Sequence, residues 1–296
     1  MTTQDKKVDT NVAARTGPGP TSIVAIEQFF PPEQRIIHDE LALKILPASY
    51  RFFIKLMRPA PIRDWIVRSA EKRIPGIWSG MLCRKRYIDE KVETAVSTHA
   101  VQAIVNLGAG YDTRLYRLPG LSNIPIWEVD QPGNIASKQK GVENALGKVP
   151  TNVTLTAINF MKQEIGNVLQ ANGYQDNSPT FFIWEAVSQY LTETAVRQTF
   201  QFLAQAPSGS QLAFTYVPKD FIAGTNMYGA EKFYERIIIQ AKAWHFGFMP
   251  PEVAPFLAEY GWRLVEDLSY AELGKRYAKR NLSAMAIERM VYAEKI

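Results

Sequence analysis

The stretch Ile104-Val105-Asn106-Leu107-Gly108-Ala109-Gly110 decides the fold of this 296-residue chain. Its first half is apolar and partly β-branched, which is typical of a buried strand. Its second half predicts a tight turn in which the backbone can approach a ligand closely, because glycine has no Cβ. In open α/β sheets, ligands bind beyond the carboxyl ends of the strands. By itself, a Gly-x-Gly turn also fits a loop that needs glycine for conformation alone.

Outward from this turn, short apolar runs alternate with segments of helical periodicity. One such segment is Thr192–Ala206, where Thr192 is a suitable N-cap. The alternation predicts an α/β, Rossmann-like fold, a mostly parallel seven-stranded sheet with helices on both faces. The last two runs lack a full crossover helix and permit an antiparallel pair at the sheet edge. The predicted strands are Ala103–Leu107, Ile126–Val129, Val153–Thr156, Phe181–Trp184, Gln211–Val217, Trp262–Leu268 and Ala286–Ala293.

The region before the first strand has a different character. Residues 1–20 are polar and end in Gly-Pro-Gly-Pro, which predicts a mobile tail. Residues 21–100 predict an N-terminal helical cap, with Phe52, Phe53 and Leu56 in one apolar pattern and Trp65 on the apolar side of the next helix. Residues 101–296 then form the α/β domain.

Composition excludes several classes of protein. Apolar residues make up 46% and charged residues 21%, as in ordinary globular chains. The sequence lacks the ~18-residue apolar run of a membrane span, and its start does not resemble a signal peptide. Cys83 is the single cysteine, so no intrachain disulfide can form and a cytoplasmic location is expected. With three scattered histidines besides, no metal site is expected.

Charge is unevenly distributed along the chain, whose net charge is +5. Residues 41–86 hold eleven bases and two acids, so this stretch carries +9 and the rest of the chain about −4. A basic segment attracts nucleic acid, a membrane surface or small anions, although it also fits a solvated helical face. Without a nucleic-acid-binding motif or a membrane span, we expect a small-molecule partner, no nucleic acid and no membrane.

The second strand ends in Asp130, 20 residues after Gly110. An acid at this place commonly binds the ribose hydroxyls of a nucleoside-type cofactor. A dinucleotide would also need the third glycine of G-x-G-x-x-G, and Thr113 stands there instead. Asp112 would repel a pyrophosphate, whereas S-adenosylmethionine carries positive charge and no phosphate. The residues therefore favour S-adenosylmethionine over NAD.

The fourth strand places a second acid, Glu185, at its carboxyl end. This carboxylate could pair with a cofactor ammonium group, or it could be an ordinary carboxylate at a strand end.

These motifs together resemble the leucine carboxyl methyltransferase family, within the class I S-adenosylmethionine-dependent methyltransferases. The resemblance extends from about residue 21 to the end. It rests on FFPPEQRIIHDELALKIL (29–46), RKRYID (84–89), VNLGAGYDTRLYRL (105–118), WEVDQP (127–132) and WEAVSQYLTETAV (184–196).

The resemblance implies roles for individual residues. Arg84 would bind the carboxylate of the cofactor, and Glu185 would meet its methionine end. The turn of Gly108, Ala109 and Gly110 would line the methionine moiety.

The adenine contact departs from the family pattern. The family usually has an acid followed by an apolar residue after the third strand, whereas this chain has Asn159 and Phe160. The side-chain carbonyl of asparagine can still accept a hydrogen bond from the adenine amino group. Asp130 would hold the ribose beside it.

The resemblance also bears on the acceptor. The founding member methylates the C-terminal carboxylate of a protein phosphatase, whereas others act on small molecules such as aromatic polyketides. YGWRLVED (260–267) and IERMVYAEK (287–295) look closer to the bacterial small-molecule branch. The implied function is O-methylation of a carboxylate or hydroxyl on an anionic or aromatic small molecule. Methylation of a protein C-terminus and, second, NAD-dependent oxidoreduction are the alternatives.

Residues 218–250 lie where class I enzymes often build a substrate lid. Their aromatic residues suit a flat acceptor, or simply pack in the core. If the acceptor is a hydroxyl, His245 is the candidate base, and Tyr190 is the candidate to face the acceptor. A carboxylate acceptor is already ionised at neutral pH and needs no strong base. We expect the basic stretch, through Lys85 and Arg86 beside Arg84, to favour an anionic acceptor.

Overall fold

A computed structural model describes residues 17–160 and 162–296 of the chain. Its centre is the predicted seven-stranded sheet, alternating with helices. The strands are β1 (Ala103–Leu107), β2 (Ile126–Asp130), β3 (Val153–Ala157), β4 (Thr180–Trp184), β5 (Gln211–Tyr216), β6 (Trp262–Ser269) and β7 (Arg289–Lys295).

The strand order, β3-β2-β1-β4-β5-β7-β6, confirms the predicted architecture. Strands β1 to β5 are parallel, and β7 inserts antiparallel between β5 and β6. The register pairs Asn106 with Glu128 on one side and with Ile183 on the other. The carboxyl ends of β1, β2 and β4 therefore meet where the strand order reverses, which is where open α/β sheets bind ligands.

Among the described residues, five α-helices precede the sheet, and we call them the cap. Helix α1 begins at Pro18, inside the segment predicted as a tail, because proline suits the first turn of a helix. Residues 1–16 of that predicted tail lie outside the described residues. The cap helices are α1 (Pro18–Glu27), α2 (Ala42–Ile45), α3 (Ala48–Leu56), α4 (Ala60–Arg73) and α5 (Ile77–Ser97).

The remaining α-helices of the described chain follow β1 in sequence. Thr192 caps its helix as predicted, accepting a hydrogen bond from the Ala195 N–H at 3.3 Å. These helices are α6 (Arg114–Arg117), α7 (Pro132–Leu146), α8 (Ile165–Ala171), α9 (Glu193–Leu203), α10 (Lys219–Ala223), α11 (Glu231–Tyr234), α12 (Pro250–Glu259) and α13 (Tyr270–Tyr277).

Two apolar clusters cover the two faces of the sheet. Side chains alternate along a strand, so Ile104 and Ile183 pack in the cluster shared with the cap, whereas Val105 and Phe182 pack in the cluster under α9 and α12. The cap docks closely on α7: a Cβ on Gly141 would lie 2.2 Å from the Ile45 carbonyl oxygen. The cap is therefore part of the same core.

One side of the cap is not packed as its pattern suggested. Phe52, Phe53 and Trp65 are exposed to 61%, 60% and 60%, although their spacing places them with apolar neighbours. Among the described residues, no helix is both long and apolar enough to cross a membrane.

Candidate active site

A cavity of about 480 Å³ lies between the cap and the carboxyl ends of β1, β2 and β4. This volume is within the ~300–1,000 Å³ that is typical of cofactor and small-molecule sites. One part of its wall is polar and comes from the strand ends, and another is apolar and comes from the cap and from residues 218–250. The predicted site residues that line the cavity are Arg84, Gly108, Ala109, Gly110, Asp130, Asn159, Phe160, Glu185 and Tyr190.

The turn after β1 needs both of its glycines. Gly108 has φ +79°, and a Cβ on it would lie 2.3 Å from Cγ2 of Val187. Gly110 has φ +45°, a left-handed conformation that disfavours other residues. A Cβ there would meet one atom within 4 Å, the Gly17 carbonyl oxygen at 3.9 Å. The turn leaves the backbone open to a ligand on this side.

Asp130 is tied to this turn. One of its carboxylate oxygens accepts from the Gly110 N–H at 2.6 Å. The other accepts from the Gln131 N–H at 2.6 Å and from Nδ2 of Asn134 at 2.8 Å. These bonds fix the carboxylate at the cavity wall, where an acid at the end of β2 can accept from two ribose hydroxyls.

Glu185 is the centre of a buried charge cluster. Its carboxylate accepts from Nε of Arg84 at 2.8 Å and from Nη2 of Arg114 at 2.9 Å, and it lies 3.2 Å from Nζ of Lys85. Burial raises the pKa of Glu185, but the charges of Lys85, Arg114 and Arg84 outweigh it and hold the pKa at about 2. The carboxylate is therefore ionised, and it is already paired with cations.

Arg84 lies between two acids, because its Nη1 also donates to Glu288 at 2.6 Å. The arginine predicted to bind the cofactor carboxylate is therefore part of a group of cations and acids rather than an isolated cation. Arg84 and Lys85 both line the cavity, and so does Glu288.

Arg114 joins three of the motifs in the sequence. Beyond Glu185, it pairs with Asp89 at 3.0 Å and with Asp112 at 3.0 Å. Burial raises the pKa of Asp112, but Arg114, Lys85 and Lys138 lower it well below its usual range. An ionised Asp112 at this turn disfavours a pyrophosphate. Sequence reasoning quoted RKRYID and GYDTR without finding this link, since Asp89 and Glu185 are 25 and 71 residues away from Arg114.

The first helix of the cap covers the glycine turn. Oγ1 of Thr21 donates to the Tyr111 carbonyl at 3.0 Å, and Gly17, Gly19 and Pro20 line the cavity. The prediction of a tail through Pro20 therefore missed part of the cavity wall. The described residues contain no cluster of His, Cys, Asp and Glu that could hold a metal ion.

The apolar wall is aromatic and comes partly from the predicted lid segment. The Tyr190 ring contacts the Trp244 ring edge to face, with centroids 6.2 Å apart. Phe233 packs against Trp244 at 5.2 Å, and both line the cavity. His245 does not line the cavity, and its backbone N–H donates to the Gln189 carbonyl at 2.7 Å. The structure thus brings Tyr190, but not His245, to the site.

Three buried polar atoms on the cavity wall lack a partner among the described residues. They are Nδ2 of Asn106, Oε1 of Gln189 and Nε1 of Trp244. Buried polar groups are normally hydrogen-bonded, so these atoms indicate where a ligand donates or accepts. Asn106 lies at the strand-end wall and the other two at the aromatic wall. Sequence reasoning assigned no role to any of them, although Gln189 stands inside WEAVSQYLTETAV.

The cavity fits S-adenosylmethionine. The glycine turn leaves room at its backbone, Asp130 offers two fixed acceptor oxygens, and Asn106 presents an unpartnered donor. Asn159 and Phe160 lie on the same wall, where an adenine ring would extend from the ribose.

Known methyltransferases are similar to this chain in sequence. A family model described as leucine carboxyl methyltransferase matches residues 19–204, more than half of the chain. A Mycobacterium marinum protein named "Putative S-adenosyl-L-methionine-dependent methyltransferase" is 27% identical over 263 residues, covering 86% of this chain and 84% of that protein. A protein of the same name from Mycobacterium sp. (strain KMS) is 31% identical over 197 residues, and the match spans 62% of each chain.

Solved structures are similar in fold. A crystal structure titled as that of a putative methyltransferase from Thermobifida fusca aligns with TM-score 0.58 at 14% identity, covering 79% of this chain and 88% of the other. A DUF574 family protein from Streptomyces avermitilis aligns with TM-score 0.56 at 14% identity, covering 80% and 91%.

Proposed function

The chain belongs to the leucine carboxyl methyltransferase family of S-adenosylmethionine-dependent methyltransferases, and we propose that it transfers a methyl group to an oxygen of an aromatic small molecule. The observation that carries the proposal is the continuity of the cavity. Its strand-end wall fits the cofactor, and its aromatic wall adjoins it within the same space. A donor and an acceptor held there would be neighbours, and orientation of this kind is a large part of catalysis.

The contacts at the strand-end wall support a role for each residue there. Asp130 would accept from the ribose hydroxyls while the Gly110 N–H holds its carboxylate. Arg84 and Lys85 would bind the carboxylate of the methionine moiety, and Glu185, which pairs with both cations, would hold them in place at this end of the cavity. When bound, S-adenosylmethionine supplies an electrophilic methyl group.

The aromatic wall supports a flat acceptor. Tyr190, Phe233 and Trp244 provide apolar ring surface, and Gln189 Oε1 and Trp244 Nε1 offer one acceptor and one donor to polar groups of the substrate. The position of Tyr190 makes it the residue proposed to face the reacting oxygen.

Support for a strictly anionic acceptor is weaker than the sequence suggested. Lys85 pairs with Glu185, and Arg86 lies 3.8 Å from Glu93. The two bases that motivated the expectation are thus paired with acids, and the proposal includes phenols as well as carboxylates.

Binding of the cofactor is tested first. Calorimetry should show saturable binding of S-adenosylmethionine that Asp130→Asn weakens at least tenfold, because the substitution removes a charge-assisted acceptor worth roughly 1.5–3 kcal/mol. Asp176→Asn, on an exposed loop, is the matched control and should not change the affinity. Binding of NADH but not of S-adenosylmethionine would support the oxidoreductase alternative and overturn the proposal.

The acceptor class is tested with radiolabelled S-adenosylmethionine. The panel contains aromatic carboxylic acids, phenols and peptides with a free C-terminus. Label recovered as a methyl ester or methyl ether of the small molecules supports the proposal. Label transferred to the peptides alone would favour the protein carboxyl methyltransferase alternative.

A further inference from the structure

The cap carries an exposed apolar surface that the proposed reaction does not use. Ten large hydrophobic residues are strongly exposed among the described residues, and six of them fall between residues 50 and 65. Five of these lie outside the cavity wall and form what we call the aromatic surface: Phe52, Phe53, Leu56, Ile62 and Trp65.

The aromatic surface spans two consecutive helices. Phe52 and Leu56 are one turn apart on α3, and the Phe52 and Phe53 rings contact each other with centroids 5.6 Å apart. Ile62 and Trp65 are likewise about one turn apart on α4. Each helix thus turns an apolar side outward, which is unusual for a protein surface.

Bases flank these apolar side chains. Lys55 lies on α3 and Arg58 shortly after it, while Arg68 and Lys72 share a face of α4 with Trp65 at spacings of three and seven residues. All four are exposed, and none forms an ion pair with another residue in the described part of the chain.

The nearby acids do not neutralise these bases. Asp64 pairs with Arg63 at 2.9 Å. The carboxylate of Glu71 accepts from the backbone N–H groups of Gly76 and Trp78 at 2.8 and 2.9 Å. The surface is therefore both apolar and positively charged.

We propose that this surface docks the protein on an anionic lipid bilayer. Aromatic and leucine side chains on one side of a helix, with lysine and arginine around them, are the composition that lies in the boundary between headgroups and acyl chains. Anionic headgroups attract the unpaired bases. The proposal departs from the expectation of no membrane partner, because that expectation concerned a span and this surface would only lie on the bilayer.

Two other occupants fit less well. In a two-fold dimer the same patch of both copies would meet, so the positive charges of one copy would face those of the other. An acidic protein would match the charge, but transient protein interfaces as a whole are only about as apolar as the rest of a protein surface, whereas this patch concentrates large apolar side chains on two consecutive helices.

The position of the surface gives the docking a consequence. Tyr50 on α3, and Ile74 and Ile77 at the turn between α4 and α5, line the cavity. Docking would therefore bring the cap side of the cavity close to the bilayer, where apolar acceptors concentrate.

Vesicle flotation of the full chain tests the proposal. The vesicles are phosphatidylcholine alone or phosphatidylcholine mixed with phosphatidylglycerol, at low and high salt. We expect binding to the anionic vesicles that salt weakens. Phe52→Ser with Phe53→Ser should reduce the partition coefficient at least tenfold, and Lys55→Glu with Arg58→Glu should reduce it roughly 20-fold or more.

Matched controls keep the result specific. Val265→Ser with Lys275→Glu changes one exposed apolar residue and one exposed base outside the surface, and it should float like the unchanged protein. Thermal melting shows that each variant is folded, and calorimetry shows that each still binds S-adenosylmethionine, since none of these residues lines the cavity.

Several results would overturn the proposal. One is that the protein does not float with anionic vesicles. Another is that the surface variants and the control variant float equally. A third is that the protein binds neutral and anionic vesicles equally well. A dimer in sedimentation that the surface variants dissociate, without any vesicle binding, would assign the patch to a second copy. Binding of polyglutamate without vesicle binding would assign it to an acidic protein.

Discussion

Replacing Glu185 with glutamine tests the charge cluster at the heart of the site. The carboxylate is held by Arg84, Lys85 and Arg114, and its side chain is 8% exposed. Glutamine keeps the shape but removes the charge, so three buried cations lose the acid that they share. Arg84 and Arg114 keep other acidic partners, but a buried group of cations that loses part of its counter-charge is still costly, because burial removes the hydration of the cations.

The magnitude follows from the surroundings of the carboxyl group. Burial raises the pKa of Glu185, whereas Lys85, Arg114 and Arg84 lower it, so that it falls from 4.5 to about 2. Such a pKa corresponds to about 3 kcal/mol of unfolding free energy at neutral pH, near the lower end of the ~3–5 kcal/mol cost of breaking a buried ion pair. We expect Glu185→Gln to lose roughly 3 kcal/mol, or roughly 5 °C in Tm for a chain of this length.

Urea unfolding followed by circular dichroism measures the loss. Glu259→Gln is the matched control, because Glu259 pairs with Arg197 at 3.1 Å with both side chains largely exposed. An exposed pair contributes about 0–1 kcal/mol. The two variants should therefore differ by roughly 2 kcal/mol or more.

The pH dependence has a definite sign. Above pH 4.5, Glu185 is ionised in both the folded and the unfolded chain, and its contribution is fully present. As pH falls from about 4.5 to about 2, the unfolded chain takes up a proton that the folded chain resists, so the contribution is lost. The difference between Glu185→Gln and the unchanged protein should shrink over this range. A loss no larger than that of Glu259→Gln, or a difference that grows as pH falls, would refute the reasoning.

Three further predictions concern the glycines and the aromatic wall. Gly108→Ala should weaken binding of S-adenosylmethionine in calorimetry and cost more unfolding free energy than Gly147→Ala. Both glycines have positive φ, so alanine at either position would carry roughly 1–2 kcal/mol of backbone strain. Only at position 108 would the added Cβ also clash, with Val187. Equal losses of unfolding free energy in the two variants would contradict this. Gly141→Ala should cost roughly 1–3 kcal/mol of unfolding free energy in urea, because the added Cβ pushes α7 away from Ile45. Gly133→Ala on the same helix, where an added Cβ meets no atom within 4 Å, should be neutral or stabilising by about 0.5–1 kcal/mol. A neutral Gly141→Ala would mean that the cap can shift away from α7 at no cost. Tyr190→Phe should change kcat or KM for a phenolic acceptor by roughly tenfold or more, and His245→Gln should change them little. The reason is that, of these two residues, Tyr190 lines the cavity and His245 does not. The reverse ranking in steady-state kinetics would support His245 as the base.

Local sequence predicted the sheet well. The ends of the predicted strands lie within three residues of the observed ends, because burial on both faces produces short apolar runs that differ from helical periodicity. The wall formed by the strand ends could be predicted in the same way. Gly108, Gly110, Asp130 and Glu185 each stand at a strand end, and parallel strands bring their carboxyl ends to one edge.

The sequence predicted that the cap is helical, but it did not predict how the cap helices pack. Spacing identifies an apolar side of α3 and α4, but it does not say whether that side meets the core or solvent. The start of α1 at Pro18 was missed because Gly-Pro-Gly-Pro is also typical of a flexible linker.

The sequence by itself determined the α/β architecture, the family and the residues at the strand ends, because these depend on local patterns along the chain. Only the tertiary structure decided that Arg114 joins Asp89, Asp112 and Glu185, and that Tyr190 rather than His245 lines the cavity. The physical reason is the range of the interactions. Charge pairs and cavity walls form between side chains that are distant in sequence, and Arg84 and Glu288, for example, are 204 residues apart. Local periodicity in the sequence does not indicate which of these side chains come into contact.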